Sequence, residues 1–148
     1  SAFQIIQGLE TVSLRMEKHC SNAAKVAEYL SNHNKVSRVI YAGLDEGEAG
    51  ERANKYLKGG HGALCGIELK GGKASGEKFI NNLNMFYHVA NIGDARSLAI
   101  HPASTTHSQL SDEDMESAGV NPSYVRLSIG IEHIDDIIED LKNALDAA

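Results

Sequence analysis

The chain has 148 residues, of which 42% are apolar and 23% are charged, and its formal net charge is −6. This length and composition predict one globular domain with a single core, rather than a disordered or fibrous chain. The negative charge weighs against nucleic acid and anionic membrane surfaces as partners, and no apolar run approaches the roughly 20 residues that span a bilayer.

The two cysteines, Cys20 and Cys65, lie far apart and outside a CxxC spacing. This pattern indicates neither a disulfide framework nor a zinc site, and it fits a reducing cytoplasm. Cys65 is most simply a small buried residue. The chain enters an amphipathic helix at its first residues, which leads us to expect a piece of a larger protein; the alternative is a small protein with a short N-terminal tail.

The first half of the chain predicts one long helix, followed by two strands that each precede a surface helix. Apolar residues between positions 3 and 30 recur every three or four residues, which is the period of a helix with one buried stripe. We expect this helix to cover 1–32. The later elements alternate or repeat with the periods of strands and helices; they are a strand over 36–41, a helix over 48–57, a strand over 63–69 and a helix over 73–83.

The second half predicts two more strands and two more helices. A third strand is expected over 86–92, followed by an irregular stretch over 93–110. Ser111 and Asp114 have the spacing of a capping box, which predicts a helix that ends at Gly119. A fourth strand over 124–129 and a closing helix over 134–145 complete the chain. The order of elements predicts a two-layer α/β domain with about four mostly antiparallel strands and its helices on one face.

Arg126 is the strongest single candidate for a binding residue, because it lies within an otherwise apolar strand. A buried guanidinium is costly unless it meets an anion, and its planar fork suits bidentate contact with a carboxylate or phosphate. Two alternatives remain open from the sequence alone. Strand alternation can point the side chain to solvent, or Arg126 can pair with a local acid such as Glu132.

Polar residues collect at the end of the third predicted strand, where ligand contacts are common. They are Asn91, Asp94, Arg96 and Ser97. Simple turn chemistry is the competing interpretation, since Asn, Gly and Asp favour turns for local reasons. For Asp94 and Arg96 individually we favour the turn.

His101 and His107 bracket a polar loop but do not have the spacing of a metal site. Pro102 breaks regular structure between them, and Ser104 lacks the G-x-S-x-G pattern of a hydrolase nucleophile. A loop shaped by internal hydrogen bonds is the better interpretation. The glycine group at 59–62 does not match a phosphate-binding loop, because it precedes a strand and no Lys-Ser/Thr follows.

Two segments resemble a known family. Residues 97–108 (Ser-Leu-Ala-Ile-His-Pro-Ala-Ser-Thr-Thr-His-Ser) and 125–132 (Val-Arg-Leu-Ser-Ile-Gly-Ile-Glu) resemble the C-terminal part of the Cys/Met-metabolism enzymes, which are pyridoxal-phosphate (PLP) enzymes of fold type I. Residues 91–97 (Asn-Ile-Gly-Asp-Ala-Arg-Ser) look more specifically like the O-acetylhomoserine sulfhydrylase branch. Residues 8–17 resemble the long helix that leads into the family's C-terminal domain.

The resemblance implies roles for several residues. Arg126 matches the arginine that grips the substrate's α-carboxylate, and Asn91 stands where related lyases and synthases have the serine of a Ser-Leu-Gly-Gly motif. An asparagine amide can still donate a hydrogen bond there. Ser97 is implied as a further substrate contact, while His101, Ser104 and His107 are implied to shape the pocket and its rim.

The family's Schiff-base lysine, in a Ser-x-Thr-Lys-type motif, has no match in this chain. The resemblance places that lysine, the phosphate-binding loop and the aspartate at the pyridine nitrogen on a large domain upstream. It therefore implies no catalytic, cofactor-binding or metal-binding residue here, and a polypeptide that is inert by itself. The intact enzyme is implied to be a cytoplasmic homotetramer that acts on an amino acid. A γ-lyase, a cystathionine γ-synthase and a stand-alone small-molecule-binding domain are the alternatives.

Overall fold

The computed structural model describes residues 2–148, and the side chains of all of these except residues 112 and 116. The helices are α1 (Ala2–Glu10), α2 (Val12–Ser31), α3 (Gly47–Tyr56), α4 (Gly72–Asn81), α5 (Asp112–Ser117) and α6 (Ile134–Ala147). The strands are β1 (Val36–Ile40), β2 (Leu64–Leu69), β3 (Tyr87–His88), β4 (Leu98–Ile100) and β5 (Tyr124–Ser128). Within residues 2–148, no helix has the combination of length and apolar character that crossing a membrane requires.

The five strands form one sheet in the order β1-β2-β5-β4-β3. The β1–β2, β2–β5 and β4–β5 pairs are antiparallel, and only the short β3–β4 pair is parallel. The predicted two-layer α/β fold with a mostly antiparallel sheet is thereby confirmed. Because β2 and β5 are the second and third strands of the sheet, their facing residues lie near its centre.

One face of the sheet forms the core with α2, α4 and α6. Side chains along a strand point alternately to opposite faces, and the set that points to the helices is fully buried, as with Ile67 and Leu127. Three of the helices contribute matching stripes at helical spacing. The buried residues from these stripes are Ala23, Val26, Ala27, Leu30, Phe79, Ile80, Ile137, Leu141, Ala144 and Leu145.

The opposite face of the sheet is not covered by these helices. The alternation that buries Ile67 and Leu127 directs the side chains of Glu68, Tyr124 and Arg126 to this second face. We call it the open face. It is bordered on one side by the loop that follows β4, and the charged side chains of Arg38, Glu68 and Arg126 lie on it.

The predicted third strand over 86–92 is much shorter in the structure, and a strand was missed after it. Only Tyr87–His88 is extended as β3, and Leu98–Ile100 forms β4 within the stretch expected to be irregular. All three residues of β4 are buried, so its sequence lacks the alternation of polar and apolar residues that predicts a strand. The sheet therefore has five strands where about four were expected.

The predicted single helix over 1–32 is interrupted at Thr11, and residue 1 lies outside the described residues. The carbonyl oxygen of Gly8 accepts a 2.9 Å hydrogen bond from the guanidinium of Arg15, which also contacts the Thr11 hydroxyl. Glycine and a β-branched residue both weaken a helix interior. The guanidinium stabilises the resulting break. The predicted Ser111 cap is formed, since Asp114 N–H donates to Ser111 Oγ at 3.1 Å, but the Asp114 carboxylate accepts from the Ser111 hydroxyl instead of closing the box on the Ser111 N–H.

Candidate anion-binding cleft

A cleft of about 500 Å³ lies on the open face of the sheet. Its floor is formed by side chains of β1, β2, β4 and β5, and its rim by the loops after β4 and before β5. The lining residues with polar or charged side chains are Arg38, Glu68, Thr106, His107, Asn121, Tyr124 and Arg126. Among the described side chains, two guanidinium groups and one carboxylate therefore share the cavity, which favours a small anionic ligand.

Arg126 lies on the cleft floor, on β5 and directly opposite Gly66 of β2. Its side chain is half-buried, and Nη2 donates a 3.2 Å hydrogen bond to the backbone carbonyl oxygen of Asn91. Among the side chains that the structure describes, which do not include those of residues 112 and 116, Arg126 takes part in no ion pair. Most of its donor fork is therefore available to a ligand.

The expectation of a costly buried guanidinium was wrong in its physical basis. Arg126 alternates with Val125 and Leu127, which are fully buried in the core, and so it points away from that core. The strand is apolar on one face only. The alternative in which Arg126 pairs with Glu132 also fails, because both carboxylate oxygens of Glu132 bind Ser97.

Glu68 is the one carboxylate that lines the cleft within the described part of the chain. On the open face it is the diagonal cross-strand neighbour of Arg126. Its carboxylate nevertheless lies 3.8 Å from the guanidinium of Arg38 on β1. Only 17% of the Glu68 side chain is exposed, whereas 66% of the Arg38 side chain is. The Glu68 carboxylate is thus paired across β1 and β2, and it forms no ion pair with Arg126.

Tyr124 covers the space above Gly66 on the cleft floor. A Cβ atom added at Gly66 would lie 2.5 Å from Cε2 and 2.8 Å from the hydroxyl oxygen of Tyr124. Only glycine permits this close approach of the ring to the backbone. Burial raises the pKa of the Tyr124 phenol, the nearby Arg126 guanidinium lowers it, and the thiol of Cys65 and the carboxylate of Glu68 raise it further.

Ser97 lies behind the cleft rather than in its lining. The residue is fully buried, its N–H donates to Glu132 Oε1 at 2.6 Å, and its hydroxyl donates to Glu132 Oε2 at 3.0 Å. The same hydroxyl accepts a 2.9 Å hydrogen bond from Gly130 N–H. These contacts tie the start of β4 to the turn after β5, and they occupy the hydroxyl within the protein.

His101 is fully buried and links the loop after β4 to two other elements. Nε2 lies 2.8 Å from the carbonyl oxygen of Pro122, which can only accept, so Nε2 carries the proton. Nδ1 then accepts from the Ser104 hydroxyl at 2.8 Å. Burial lowers the pKa of this imidazole, against smaller opposing effects that include the Pro122 hydrogen bond. A Cβ atom at Gly76 of α4 would lie 2.4 Å from Nε2, so the ring needs that glycine.

The rest of the loop follows from the position of His101. Thr105 Oγ1 donates to the His101 carbonyl oxygen at 2.8 Å, and His107 N–H donates to the Pro102 carbonyl oxygen at 2.9 Å. These bonds curl residues 102–107 so that Thr106 and His107 reach the cleft rim. The histidines therefore have different surroundings: His101 is buried in the frame of the loop, and His107 borders the cavity.

The segment after β3 is organised by local turn contacts. Asp94 Oδ1 accepts from Arg96 N–H at 2.9 Å, and the Arg96 guanidinium lies 4.3 Å from the centroid of the Tyr87 ring. Hydrogen bonds from the N–H and from the guanidinium of Arg96 lower the pKa of the Asp94 carboxyl. Asn91 is exposed and reaches the site through its backbone carbonyl. The turn interpretation of Asp94 and Arg96 agrees with these contacts.

Sequence reasoning missed several cleft residues, among them Arg38, Glu68 and Tyr124. Tyr124 precedes Arg126 by two residues, so the period of a strand places the two on one face. That signal was available in the sequence. Arg38 and Glu68 could not be placed beside Arg126 without the strand order, which puts β2 between β1 and β5.

Comparisons with known proteins identify the family. Residues 1–146 match the family model described as Cys/Met metabolism PLP-dependent enzyme. The chain is 54% identical over 146 residues to an O-acetyl-L-homoserine sulfhydrylase of Leptospira meyeri, covering 98% of this chain and 33% of that protein. It is 44% identical over 145 residues to an L-methionine gamma-lyase of Fusobacterium nucleatum subsp. polymorphum, covering 98% of this chain and 36% of that protein.

A solved structure agrees with the sequence relatives. The chain superposes with a TM-score of 0.85 and 42% identity on a Campylobacter jejuni protein assigned as an O-acetylhomoserine (thiol)-lyase, whose crystal structure contains N'-pyridoxyl-lysine-5'-monophosphate. The match covers 95% of this chain and 33% of that one. This chain thus spans about a third of the length of the relatives it matches, and it belongs to the PLP-dependent Cys/Met-metabolism enzyme family.

Proposed function

We propose that this chain is the C-terminal, substrate-binding domain of a PLP-dependent O-acetylhomoserine sulfhydrylase. Such an enzyme replaces the acetate of O-acetyl-L-homoserine with sulfide or a thiol, giving homocysteine or methionine. The observation that supports this best is the Arg126 guanidinium, which lines the cleft and has no carboxylate partner among the side chains that the structure describes. The Leptospira meyeri relative, with 54% identity, supports the sulfhydrylase branch.

In this proposal Arg126 binds the α-carboxylate of the amino-acid substrate. Charge-assisted, bidentate contacts are about twice as strong as neutral hydrogen bonds and also fix orientation. The hydrogen bond to the Asn91 carbonyl oxygen restrains one edge of the guanidinium, so that the rest can face the ligand. The rim residue His107 and the loop framed by His101 and Ser104 shape the pocket.

The residues that line this cleft do not fit covalent attachment of PLP. Within residues 2–148, no lysine lines the cleft, and PLP is held in its enzymes by a lysine amine. We propose that this lysine belongs to another part of the protein, and that the present polypeptide alone is inactive. PLP supplies the electron sink of the reaction, while this chain contributes orientation of the substrate.

Exposed apolar side chains on α1 support a position against the rest of the protein. Phe3, Ile5, Ile6 and Leu9 are each more than half exposed, and α1 has no buried residue. A patch of this kind is typical of an interaction surface. We propose that α1 and the start of α2 contact the large domain, and that the intact enzyme is a cytoplasmic homotetramer.

A methionine γ-lyase is the second candidate, because a relative of that name is 44% identical to this chain. The two activities differ in the substrate that is turned over. Steady-state assays of the full-length protein with O-acetylhomoserine plus sulfide, and separately with methionine and with cystathionine, distinguish them. Turnover of O-acetylhomoserine with sulfide at least tenfold more efficient than the other reactions supports the proposal. A preference for methionine or cystathionine contradicts it.

A further inference from the structure

On the open face, an acid and a guanidinium occupy neighbouring positions of two paired strands. Gly66 faces Arg126 across the β2–β5 pair, and Glu68 faces Tyr124. All four residues belong to the open face, so Glu68 and Arg126 are diagonal neighbours. Diagonal positions of an antiparallel pair are about 7–8 Å apart, within reach of long side chains. An acid and a guanidinium at such positions are expected to pair.

They do not pair in this structure. The Glu68 carboxylate lies 3.8 Å from Arg38, on the other side of β2. Arg126 instead donates to the neutral backbone carbonyl of Asn91. Arg38 faces Glu68 directly across the β1–β2 pair, which favours this partner over the diagonal Arg126.

The Tyr124 ring occupies the position that separates these two charged groups. Its hydroxyl end reaches across to Gly66, where an added Cβ atom would lie 2.5 Å from Cε2. The ring thus follows one diagonal of the four-residue square, from Tyr124 to Gly66. The other diagonal, from Glu68 to Arg126, must cross it.

We propose that Tyr124 is a positioning residue: its ring, lying on Gly66, prevents an internal Glu68–Arg126 ion pair and keeps Arg126 available for the substrate's carboxylate. This inference rests on the proposed function for the identity of the ligand. The separation of the two charged side chains does not depend on it. Gly66 contributes by the absence of a side chain, and Arg38 contributes by giving Glu68 an alternative partner.

The positioning role of Tyr124 predicts a specific pattern of KM values among variants of the full-length enzyme. Tyr124→Val removes the ring but retains a residue that favours strands. It should raise KM for O-acetylhomoserine about tenfold with kcat little changed, because an internal ion pair competes with the ligand for Arg126. Tyr124→Phe keeps the ring and should keep KM within about twofold of wild type. Tyr87→Val, the same substitution on a strand outside the cleft, is the matched control.

The double variant Tyr124→Val/Glu68→Gln provides the decisive readout. Removing the carboxylate should restore KM to within about threefold of wild type, although the ring is still missing. Simple loss of packing would not be rescued in this way. A double variant as impaired as Tyr124→Val, or a Tyr124→Val enzyme with unchanged KM, overturns the proposal.

A crystal structure of the full-length Tyr124→Val variant separates this inference from the proposed function. The Glu68 carboxylate should then lie within about 4 Å of the Arg126 guanidinium, the usual limit for an ion pair. If the carboxylate and the guanidinium stay apart, the positioning role proposed for Tyr124 is wrong. If wild-type protein does not turn over O-acetylhomoserine, the proposed function fails, and this structural measurement still decides the role of Tyr124.

Discussion

Arg126 Nη2 donates a 3.2 Å hydrogen bond to the backbone carbonyl oxygen of Asn91, and this bond joins β5 to the segment that follows β3. The partner is neutral and belongs to the main chain. The guanidinium is therefore held in place by a neutral group, and this contact does not pair its positive charge with a carboxylate. This arrangement suits a residue that binds an anion, because the site is organised before the ligand arrives.

Replacing Arg126 by lysine tests the need for a planar, two-pronged donor. In the full-length enzyme, Arg126→Lys should raise KM for O-acetylhomoserine about 10- to 100-fold, because a lysine ammonium keeps the charge but cannot make the bidentate contact. Steady-state kinetics at saturating sulfide measure this change. Arg52→Lys on the exposed helix α3 is the matched control and should behave as wild type. An unchanged KM for Arg126→Lys removes Arg126 from the proposed role.

Ser97→Ala tests whether Ser97 positions the site or touches the substrate. The substitution leaves the buried N–H of Gly130 without its acceptor, which costs about 1–3 kcal/mol. Hydrogen exchange of the full-length protein should show faster local opening of residues 97–100 and 128–132, accompanied by a modest loss of activity. A large rise in KM with unchanged exchange would instead favour direct contact between Ser97 and the substrate.

Gly76→Ala tests the packing of α4 against His101. Alanine is favoured over glycine in a helix by about 1 kcal/mol, but here its Cβ would lie 2.4 Å from the buried His101 Nε2. Overpacking should dominate, with a net loss of about 1–3 kcal/mol in the free energy of unfolding. Chemical denaturation measures the loss. Gly8→Ala is the matched control, because an added Cβ there meets nothing within 4 Å and should be neutral or stabilising.

The buried His101 predicts a dependence of loop stability on pH. Burial lowers its pKa below the ordinary value of 6.5, so the opened loop binds more protons than the folded one in acid. Neutral His101 therefore stabilises the folded loop fully above pH 6.5, and this contribution to loop stability is lost as pH falls through the lowered pKa. Hydrogen exchange of residues 98–107, corrected for intrinsic rates, should therefore show easier opening at pH 5 than at pH 8.

Two variants control the pH experiment. His101→Gln keeps a side-chain N–H donor but does not titrate, and it should abolish the acid-dependent opening. His107→Gln, at the cleft rim and outside the buried network, should leave that opening as in wild type. A loop whose opening is equally easy at both pH values in the wild-type protein would contradict the account of His101.

The fold was largely predictable because its elements have strong local periodicity. The alternation in β5 and the apolar stripe of α6 appear both in the sequence and in the structure. Strand β4 escaped prediction because its three residues are buried on both faces, which removes the polar alternation. The break at Thr11 depends on where the Arg15 side chain bonds, and periodicity does not report that.

The site was only partly predictable. Arg126, which lines the cleft, was singled out because a charge stands out in an apolar strand, although the strand is apolar on one face only. The hydrogen bonds between Ser97 and Glu132 join positions 35 residues apart, and the contact between Tyr124 and Gly66 depends on the pairing of β2 with β5. Local sequence patterns contain no information about such distant partners. Glycine at position 66 therefore looked like an ordinary strand residue.

The most direct test of the central claim compares two ligands in two proteins. In full-length wild-type enzyme, O-acetyl-L-homoserine should be preferred in kcat/KM over its α-carboxamide analogue by about 100-fold, because only the acid forms the charge-assisted pair. In the Arg126→Gln variant this preference should fall to about threefold or less. If the variant keeps the wild-type preference for the carboxylate, Arg126 does not bind it and the account of the cleft is wrong.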